Sequence, residues 1–320
     1  MLKTTFINVG YGDAILVESI KDNLPYTILI DGGEQKYAAS SFLNEKKITK
    51  IDLLICTHFH LDHVVGLLDV VANFPVGEFW GPVLAPELHL SLLPQDGVNE
   101  AQSRLIVAMN YYWEMVNKLA AKGTKLENIY TKQNERVIFP GLAIKVLAGD
   151  SNSYEKLAAK LQLVASSRGE ERAELLGQLE SWLNEGSAIV RFSYAGKRIL
   201  LLSDVPAYGM ADLLAHPQEL QAEVMKISHH GQLDSMNEQL AQAINPDYVI
   251  TCVSKDRKYN GANEAVYQLL ESVAKKQGKQ LVFGFSDALA YGAPDPEDNR
   301  AGYEVCIADD ASIATEILMK

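Results

Sequence analysis

The stretch Thr57-His58-Phe59-His60-Leu61-Asp62-His63 decides how the rest of the chain is interpreted. It holds three of the seven histidines in the chain, and four of its seven residues are of metal-ligand type. The apolar run just before it is short and continuous, which favours a strand buried on both faces. His58 and His60 then point toward one cation, while Asp62 and His63 face a second position. The segment therefore predicts a centre for two metal ions, which lie roughly 3.5–4 Å apart in such sites.

Short apolar runs separated by turn residues predict strands on both sides of this motif, and helical spacing marks the middle of the chain. The predicted strands cover residues 5–9, 14–18, 26–30, 51–56, 188–193, 198–202, 224–227 and 248–252. The predicted middle segments are helices at 101–121 and 154–183, the second broken near 166–169, with a strand at 137–147. Because no repeat or linker marks a boundary, we predict one α/β domain over residues 1–320, with a mostly helical insertion at about 85–183.

The charge balance is acidic. The 320 residues include 29 Lys+Arg and 41 Asp+Glu, a formal net charge of −12. This balance argues against a protein that grips long nucleic acid through a generally basic surface, because phosphate binding relies on Lys and Arg displacing counterions. An acidic protein can still bind a phosphate substrate at a metal centre, since the metal ion sets the local charge there.

Cysteine usage and the lack of long apolar segments point to an intracellular protein. The three cysteines are widely spaced and odd in number, so neither a disulfide framework nor a thiolate zinc site is expected. No run approaches the about 20 apolar residues that a membrane span needs, and the first residues read as a strand rather than a signal peptide. We expect a cytoplasmic protein with no membrane partner.

The histidine motif resembles the H-x-H-x-D-H signature of the metallo-β-lactamase superfamily. Two later segments fit the same family. Asp204 ends an apolar strand, where the family has the acidic residue that bridges both metals, and His229 and His230 follow the next strand, where it has its last ligand.

Four further segments indicate a subfamily within this superfamily. They resemble the hydrolase domain of the competence protein ComEC and its stand-alone relatives, and they cover residues 8–17, 30–33, 184–192 and 228–231. The resemblance covers roughly residues 1–78 and 184–255. It implies an αββα sandwich. The membrane channel of ComEC lies outside it, so DNA uptake is not implied.

The resemblance also implies two divalent metal ions, Zn²⁺ or Mn²⁺. The implied ligands are His58, His60, Asp62, His63, Asp204 and His229. Many members supply a third histidine to the first metal, but the one histidine in that interval here is His89, which we interpret as a surface or packed residue. Water, Asn184 or Ser187 would then complete the first shell, and a shell with fewer imidazoles leaves Mn²⁺ open beside Zn²⁺.

The expected catalytic residues are Asp62 and His230. Asp62 would ligate the second metal and orient the hydroxide. His229 is taken as the terminal ligand because it comes first after the strand, and His230 would donate a proton to the leaving group or hydrogen-bond a ligand. Asp31 and Asp13 are candidates for orienting histidines, with a turn-forming role equally open for Asp13.

The predicted function is that of a metal-dependent hydrolase using a metal-bound hydroxide on a phosphoester, as a phosphodiesterase or nuclease-like enzyme. The expected substrate is compact, including a short nucleic acid or nucleotide-derived ligand. Two alternatives stay open: a lactone, lactam or thioester hydrolase, and a metal-binding regulatory module without turnover. Lys255, Arg257 and Lys258 cluster near the expected rim of the sheet and face either the substrate or solvent.

Overall fold

A computed structural model describes residues 1–21, 23–85, 88, 90–139, 141–147, 152–292, 294 and 299–320. Within these residues fifteen strands occur. In chain order they are β1 (Leu2–Ile7), β2 (Ile15–Lys21), β3 (Leu24–Ile30), β4 (Ile51–Ile55), β5 (Val76–Gly81), β6 (Lys125–Asn128), β7 (Arg136–Phe139), β8 (Leu142–Val146), β9 (Val190–Tyr194), β10 (Lys197–Leu201), β11 (Val224–Lys226), β12 (Tyr248–Thr251), β13 (Val282–Phe285), β14 (Arg300–Ile307) and β15 (Ile313–Met319).

Eight α-helices lie between these strands in the same described residues. They are α1 (Ala38–Glu45), α2 (Leu61–Asn73), α3 (Glu100–Ala121), α4 (Ser153–Ser166), α5 (Gly169–Glu185), α6 (Pro217–Leu220), α7 (Glu238–Ile244) and α8 (Glu264–Lys276). The predicted break near residues 166–169 is confirmed, because α4 ends and α5 begins there. The predicted strand at 137–147 is instead the hairpin β7–β8, whose strands pair antiparallel.

The strands form two sheets. One has the order β15-β14-β1-β2-β3-β4-β5-β6, and the other has the order β13-β12-β11-β10-β9-β8-β7. Neighbouring residues of β10 show how the sheets are covered: Ile199 and Leu201 belong to the core shared with the first sheet, whereas Leu200 packs with the helices α7 and α8. Because successive side chains of a strand point to opposite faces, the second sheet lies between the shared core and an outer helical layer.

The first sheet is covered in the same way by α1, α2 and α3. Val64, Leu67 and Val71 of α2 are fully buried in the core that also contains Leu53 and Ile55 of β4. The order of layers is therefore helix, sheet, sheet, helix, which confirms the predicted αββα sandwich.

The segment predicted as a helical insertion contributes strands to both sheets. Its helices α3, α4 and α5 pack on one another, but β6 pairs parallel with β5, and β8 pairs antiparallel with β9. That residues 1–320 form one domain stays a prediction. Among the described residues, no helix is both long and apolar enough to cross a membrane.

Parallel pairing places the chemically active residues at one edge. The strands β3, β4 and β5 run parallel in the first sheet, and β10, β11 and β12 run parallel in the second. Their carboxyl ends meet at the same edge of the sandwich, which is where ligands bind in open α/β sheets.

Gly12 lets the loop after β1 reach this edge. It has a φ of 108°, and a Cβ here would lie 1.9 Å from the carbonyl oxygen of Asp62. Only glycine combines that backbone conformation with so close an approach. The next residue, Asp13, donates its backbone N–H to the same carbonyl at 3.2 Å.

Candidate metal centre

Four predicted side chains converge where the strand ends meet. Asp62, His63, Asp204 and His230 each offer one ligand atom, and these atoms lie within 4.8 Å of one another. Asp204 Oδ2 is 3.1 Å from His63 Nε2 and 3.2 Å from His230 Nε2. His230 Nε2 is also 3.1 Å from Asp62 Oδ2. We call these four residues the metal cluster.

His58 and His60 form a pair beside the metal cluster. His58 Nε2 lies 3.1 Å from His60 Nδ1, and the rings of His58 and His63 are 4.1 Å apart between centroids. The other ring nitrogen of His60, Nε2, is buried without a hydrogen-bond partner in the described part of the chain. These two histidines therefore lie next to the metal cluster, and that they hold a separate first ion stays a prediction.

The histidines after β11 do not take the places assumed from their order. His230 is fully buried and belongs to the metal cluster, whereas His229 lies at the cavity edge with its Nδ1 2.9 Å from Asp234 Oδ1. The Nε2 of His229 is 3.3 Å from the amide nitrogen of Asn184. We expected His229 to be the terminal ligand and His230 the proton donor. The structure instead places His230 beside Asp62 and Asp204, and His229 at the edge of the cavity.

A left-handed backbone turn causes this arrangement. His229 and His230 have φ values of 45° and 54°, followed by Gly231 at 72°. Non-glycine residues rarely adopt this conformation, and such residues are concentrated at functional sites. The turn directs the side chain of the second histidine, rather than the first, toward Asp204.

Buried partners orient the cluster histidines. Asp31 Oδ2 is 2.9 Å from His63 Nδ1, while Thr57 donates its backbone N–H and its hydroxyl to the same carboxylate at 2.9 and 2.7 Å. His230 Nδ1 lies 2.9 Å from the carbonyl oxygen of Cys252. Both rings therefore present Nε2 to the centre, as is typical of metal-ligating histidines.

Lys226 was missed by reasoning from the sequence. It is fully buried, and its ammonium group lies 2.5 Å from Asp13 Oδ2 and 3.6 Å from Asp204 Oδ1 and donates to the carbonyl oxygen of Ser203 at 2.9 Å. A lysine inside the apolar run 224–227 was the available signal, because a buried charge requires a partner. Asp13 is that partner, and its Oδ1 is 3.4 Å from His230 Nδ1.

The electrostatics of the metal cluster favour positive charge. Burial opposes ionisation of Asp204, yet the nearby His230 and His63 hold the pKa of this carboxyl well below its usual value. Burial likewise lowers the pKa of His63 and His230, but the charge of Asp204 together with the neighbouring acidic groups and their hydrogen bonds raises both pKa values well above the usual range. His58 differs, since burial lowers its pKa well below the ordinary value and keeps the imidazole neutral.

The donor set fits divalent cations. The buried atoms without a hydrogen-bond partner among the described residues include His60 Nε2, Asp204 Oδ1 and Asn184 Oδ1. Unpaired buried polar atoms are costly, and these three belong to residues that line the same cavity, which indicates a missing partner there. Imidazole and carboxylate ligands suit ions such as Zn²⁺ and Mn²⁺.

The two other residues considered for the first shell have different placements. Asn184 lines the cavity, whereas the Ser187 hydroxyl accepts the backbone N–H of Asp204 at 3.3 Å. His89 lies outside the described residues.

A cavity of about 540 Å³ opens onto the metal cluster. Its walls come from the cluster, from the helices α3 and α5, and from the loops after β1 and β12. The lining residues include Tyr11, His60, Asp62, Glu100, Arg104, Glu180, Asn184, Asp204, His229 and Tyr259. The segment predicted as an insertion thus supplies one side of the cavity.

The sequence model of the metallo-beta-lactamase superfamily matches residues 7–137. A curated relative, ComE operon protein 3 from Bacillus subtilis (strain 168), is 26% identical over 283 residues, which cover 83% of this chain and 30% of the relative. The chain therefore spans about 30% of the length of that relative.

Two solved structures resemble the fold. The metallo-beta-lactamase fold protein YhfI from Bacillus subtilis has a TM-score of 0.47 at 11% identity, with 90% of this chain and 98% of that chain covered. Zinc-bound PqqB from Methylobacterium extorquens has a TM-score of 0.40 at 11% identity, with 81% and 76% covered. The match to the superfamily's sequence model and the similarity to ComE operon protein 3 confirm the resemblance of this chain to the metallo-beta-lactamase superfamily and to its ComEC-like members.

Proposed function

We propose that this protein is a hydrolase that requires divalent metal ions and cleaves a compact phosphoester, as a phosphodiesterase or nuclease-like enzyme. The observation that carries the proposal is the convergence of Asp62, His63, Asp204 and His230 beside a cavity of about 540 Å³. Cavities of this size accept small-molecule ligands.

Two groups of residues would hold the ions. His58 and His60, with Asp204 and the Asn184 amide oxygen, would hold the first, and the metal cluster would hold the second. When bound, such ions supply positive charge to the reacting phosphoryl group and lower the pKa of coordinated water. Asp204 belongs to both groups, in agreement with the bridging role that the resemblance implies.

His229 is proposed to move the proton. Its Nδ1 lies 2.9 Å from the Asp234 carboxylate, and this contact fixes the orientation of the ring. Its Nε2 lies on the cavity side, close to Asn184. The carboxylate accepts a hydrogen bond from Nδ1 and the Asn184 amide donates to Nε2, so Nε2 is the nitrogen that would accept and pass on a proton at the cavity, the role of a general acid–base residue.

The ComEC-like resemblance favours a phosphoester over a carbonyl substrate. The described residues between the histidine motif and Asp204 also include no further histidine, which supports the same choice. The net charge of −12 supports a compact substrate over long DNA. A cytoplasmic location and the lack of a membrane partner stay predictions.

The test combines metal analysis with two generic substrates, bis(p-nitrophenyl) phosphate and a simple lactone. Protein purified without chelators is expected to hold one or two transition-metal ions and to cleave the phosphodiester. Asp204→Asn should lose metal and lower the rate roughly 100-fold or more, because the carboxylate serves both positions.

The matched control is Asp212→Asn, which changes an exposed aspartate and should alter neither metal content nor rate. Full phosphodiesterase activity in Asp204→Asn would contradict the proposal. Faster cleavage of the lactone would favour the carbonyl-hydrolase alternative instead.

A further inference from the structure

Arg104 brings a positive charge to the cavity from outside the superfamily motif. It lies on α3 and lines the same cavity as Asp62 and Asp204. Its Nη2 is 3.2 Å from Glu34 Oε1. The second oxygen of that carboxylate contacts the ammonium group of Lys258, so one negative charge is shared by two cations.

Lys258 lies behind the wall of the cavity. Its ammonium group is 5.2 Å from the ring centroids of both Tyr11 and Tyr259, and these two rings line the cavity with a centroid separation of 5.1 Å. Cation–π contacts on two rings fix the ammonium group beside Glu34. Because Lys258 engages the Glu34 carboxylate, the charge of Arg104 is only partly neutralised.

Acidic residues define where an anion would bind. Glu100 and Glu180 also line the cavity, Glu100 one helical turn before Arg104 and Glu180 on α5. Their carboxylates repel an anionic group from their part of the wall. Among the described lining residues Arg104 is the one arginine or lysine, and its planar guanidinium matches the oxygens of a phosphate group.

We infer that Arg104, supported by Lys258 through Glu34, binds an anionic phosphoryl oxygen of the substrate outside the metal cluster. The inference rests on the proposed function and narrows its substrate class to nucleotide-sized phosphoesters. The bound oxygen belongs either to the scissile phosphate or to a second phosphate on the same molecule. Arg104 is then the residue that selects anionic substrates.

The experiment compares two chromogenic esters, thymidine 5′-(p-nitrophenyl phosphate) and its 3′-phosphorylated counterpart. Arg104→Gln is expected to raise KM about 10-fold or more, the effect of losing a hydrogen bond to a charged group. Its kcat should change less than about 3-fold, because the lost contact stabilises the bound substrate and the transition state equally. Lys258 does not line the cavity, yet Lys258→Met should raise KM about 3-fold, because the Glu34 carboxylate would then neutralise the charge of Arg104 fully.

The control is Lys118→Gln, on the same helix, where the lysine pairs with Glu114 at the protein surface. Its KM should equal that of the wild type. An increase of KM for both esters assigns the bound oxygen to the scissile phosphate, and an increase for the 3′-phosphorylated ester alone assigns it to the second phosphate.

An unchanged KM for both esters in Arg104→Gln would overturn the inference and leave the proposed function intact. If the wild type cleaves neither ester, the proposed function fails, and calorimetry then decides the inference separately. The probe is thymidine 3′,5′-bisphosphate added to chelator-treated protein. Its Kd should rise about 10-fold in Arg104→Gln, and an equal Kd would overturn the inference.

Discussion

His229 and His230 are neighbours in the chain with different partners. His230 is buried against Asp62 and Asp204, and His229 contacts Asp234 and Asn184 at the cavity edge. Both have left-handed backbone conformations, which non-glycine residues adopt at a cost of about 1–3 kcal/mol. We interpret this strained turn at residues 229–231 as the feature that directs one histidine to the metal cluster and its neighbour to the proton-transfer position.

Substitution by asparagine should separate these two roles, because asparagine tolerates the left-handed conformation. His230→Asn is expected to weaken metal affinity by roughly 100-fold or more, since it removes a ligand. His229→Asn should keep its metal and lower kcat by roughly 100-fold, the usual contribution of a general acid–base residue. Metal competition titrations and steady-state kinetics measure the two effects.

His216→Asn serves as the control, because His216 is exposed and lies outside the cavity lining. Loss of metal from His229→Asn, together with full metal binding by His230→Asn, would reverse the assignment of these histidines.

Among the elements, β5 and β7 join the two sheets through one ion pair. Glu78 on β5 accepts hydrogen bonds from the guanidinium of Arg136 on β7 at 2.8 and 2.9 Å, and from the indole N–H of Trp80 at 2.8 Å. The Arg136 guanidinium also lies 5.4 Å from the Trp80 ring centroid. A bidentate pair of this kind is geometrically specific and stronger than a single contact.

This pair should make stability depend on pH. Burial alone would raise the pKa of Glu78, but the hydrogen bonds from Arg136 and Trp80 lower it to about 2 from 4.5. A carboxyl group with a lowered pKa stabilises the folded state above its unfolded pKa and loses that contribution as pH falls through the folded pKa. Glu78→Gln should therefore cost about 1 kcal/mol at pH 7, a cost that shrinks between pH 4.5 and 2.

Urea unfolding at several pH values measures this cost. The control Glu114→Gln removes an exposed pair with Lys118 and should change the free energy of unfolding by less than about 0.5 kcal/mol. A loss in Glu78→Gln that is the same at pH 7 and pH 3 would contradict the assignment to the charged form.

In the whole molecule, the metal cluster draws on both sheets. Asp62 and His63 follow β4 of the first sheet, and Asp204 and His230 follow β10 and β11 of the second. A cation held by all four residues would link the two halves of the sandwich. Its binding free energy then adds to the stability of the folded state, since the unfolded chain has no such site.

Removal of metal should therefore lower the melting temperature. At a free-ion concentration 1,000 times Kd the stabilisation is about 4 kcal/mol, which corresponds to a shift of roughly 8 °C. Calorimetry with and without a chelator, followed by re-addition of the ion, measures the shift. Asp204→Asn should show little response to the chelator, and an equal melting temperature for wild-type protein with and without it would exclude a stabilising ion.

Much of the fold and part of the candidate site can be predicted from short stretches of the sequence. The apolar runs and their turns predict the strands, because side-chain alternation and turn chemistry act over a few residues. The motif at residues 57–63 and the strand-end position of Asp204 indicate a metal centre for the same reason. Asp62, His63 and Asp204 do meet at the sheet edge.

Other features depend on residues far apart in the chain. The choice between His229 and His230 depends on a backbone turn packed under the sheet edge, and the role of Lys226 depends on its burial beside Asp13. The sharing of Glu34 by Arg104 and Lys258 joins three elements that only the folded chain brings together. Local patterning thus determines the strands and the ligand types, whereas the cavity wall and its charge arise from long-range packing, because burial and distance exist only once the sheets have come together.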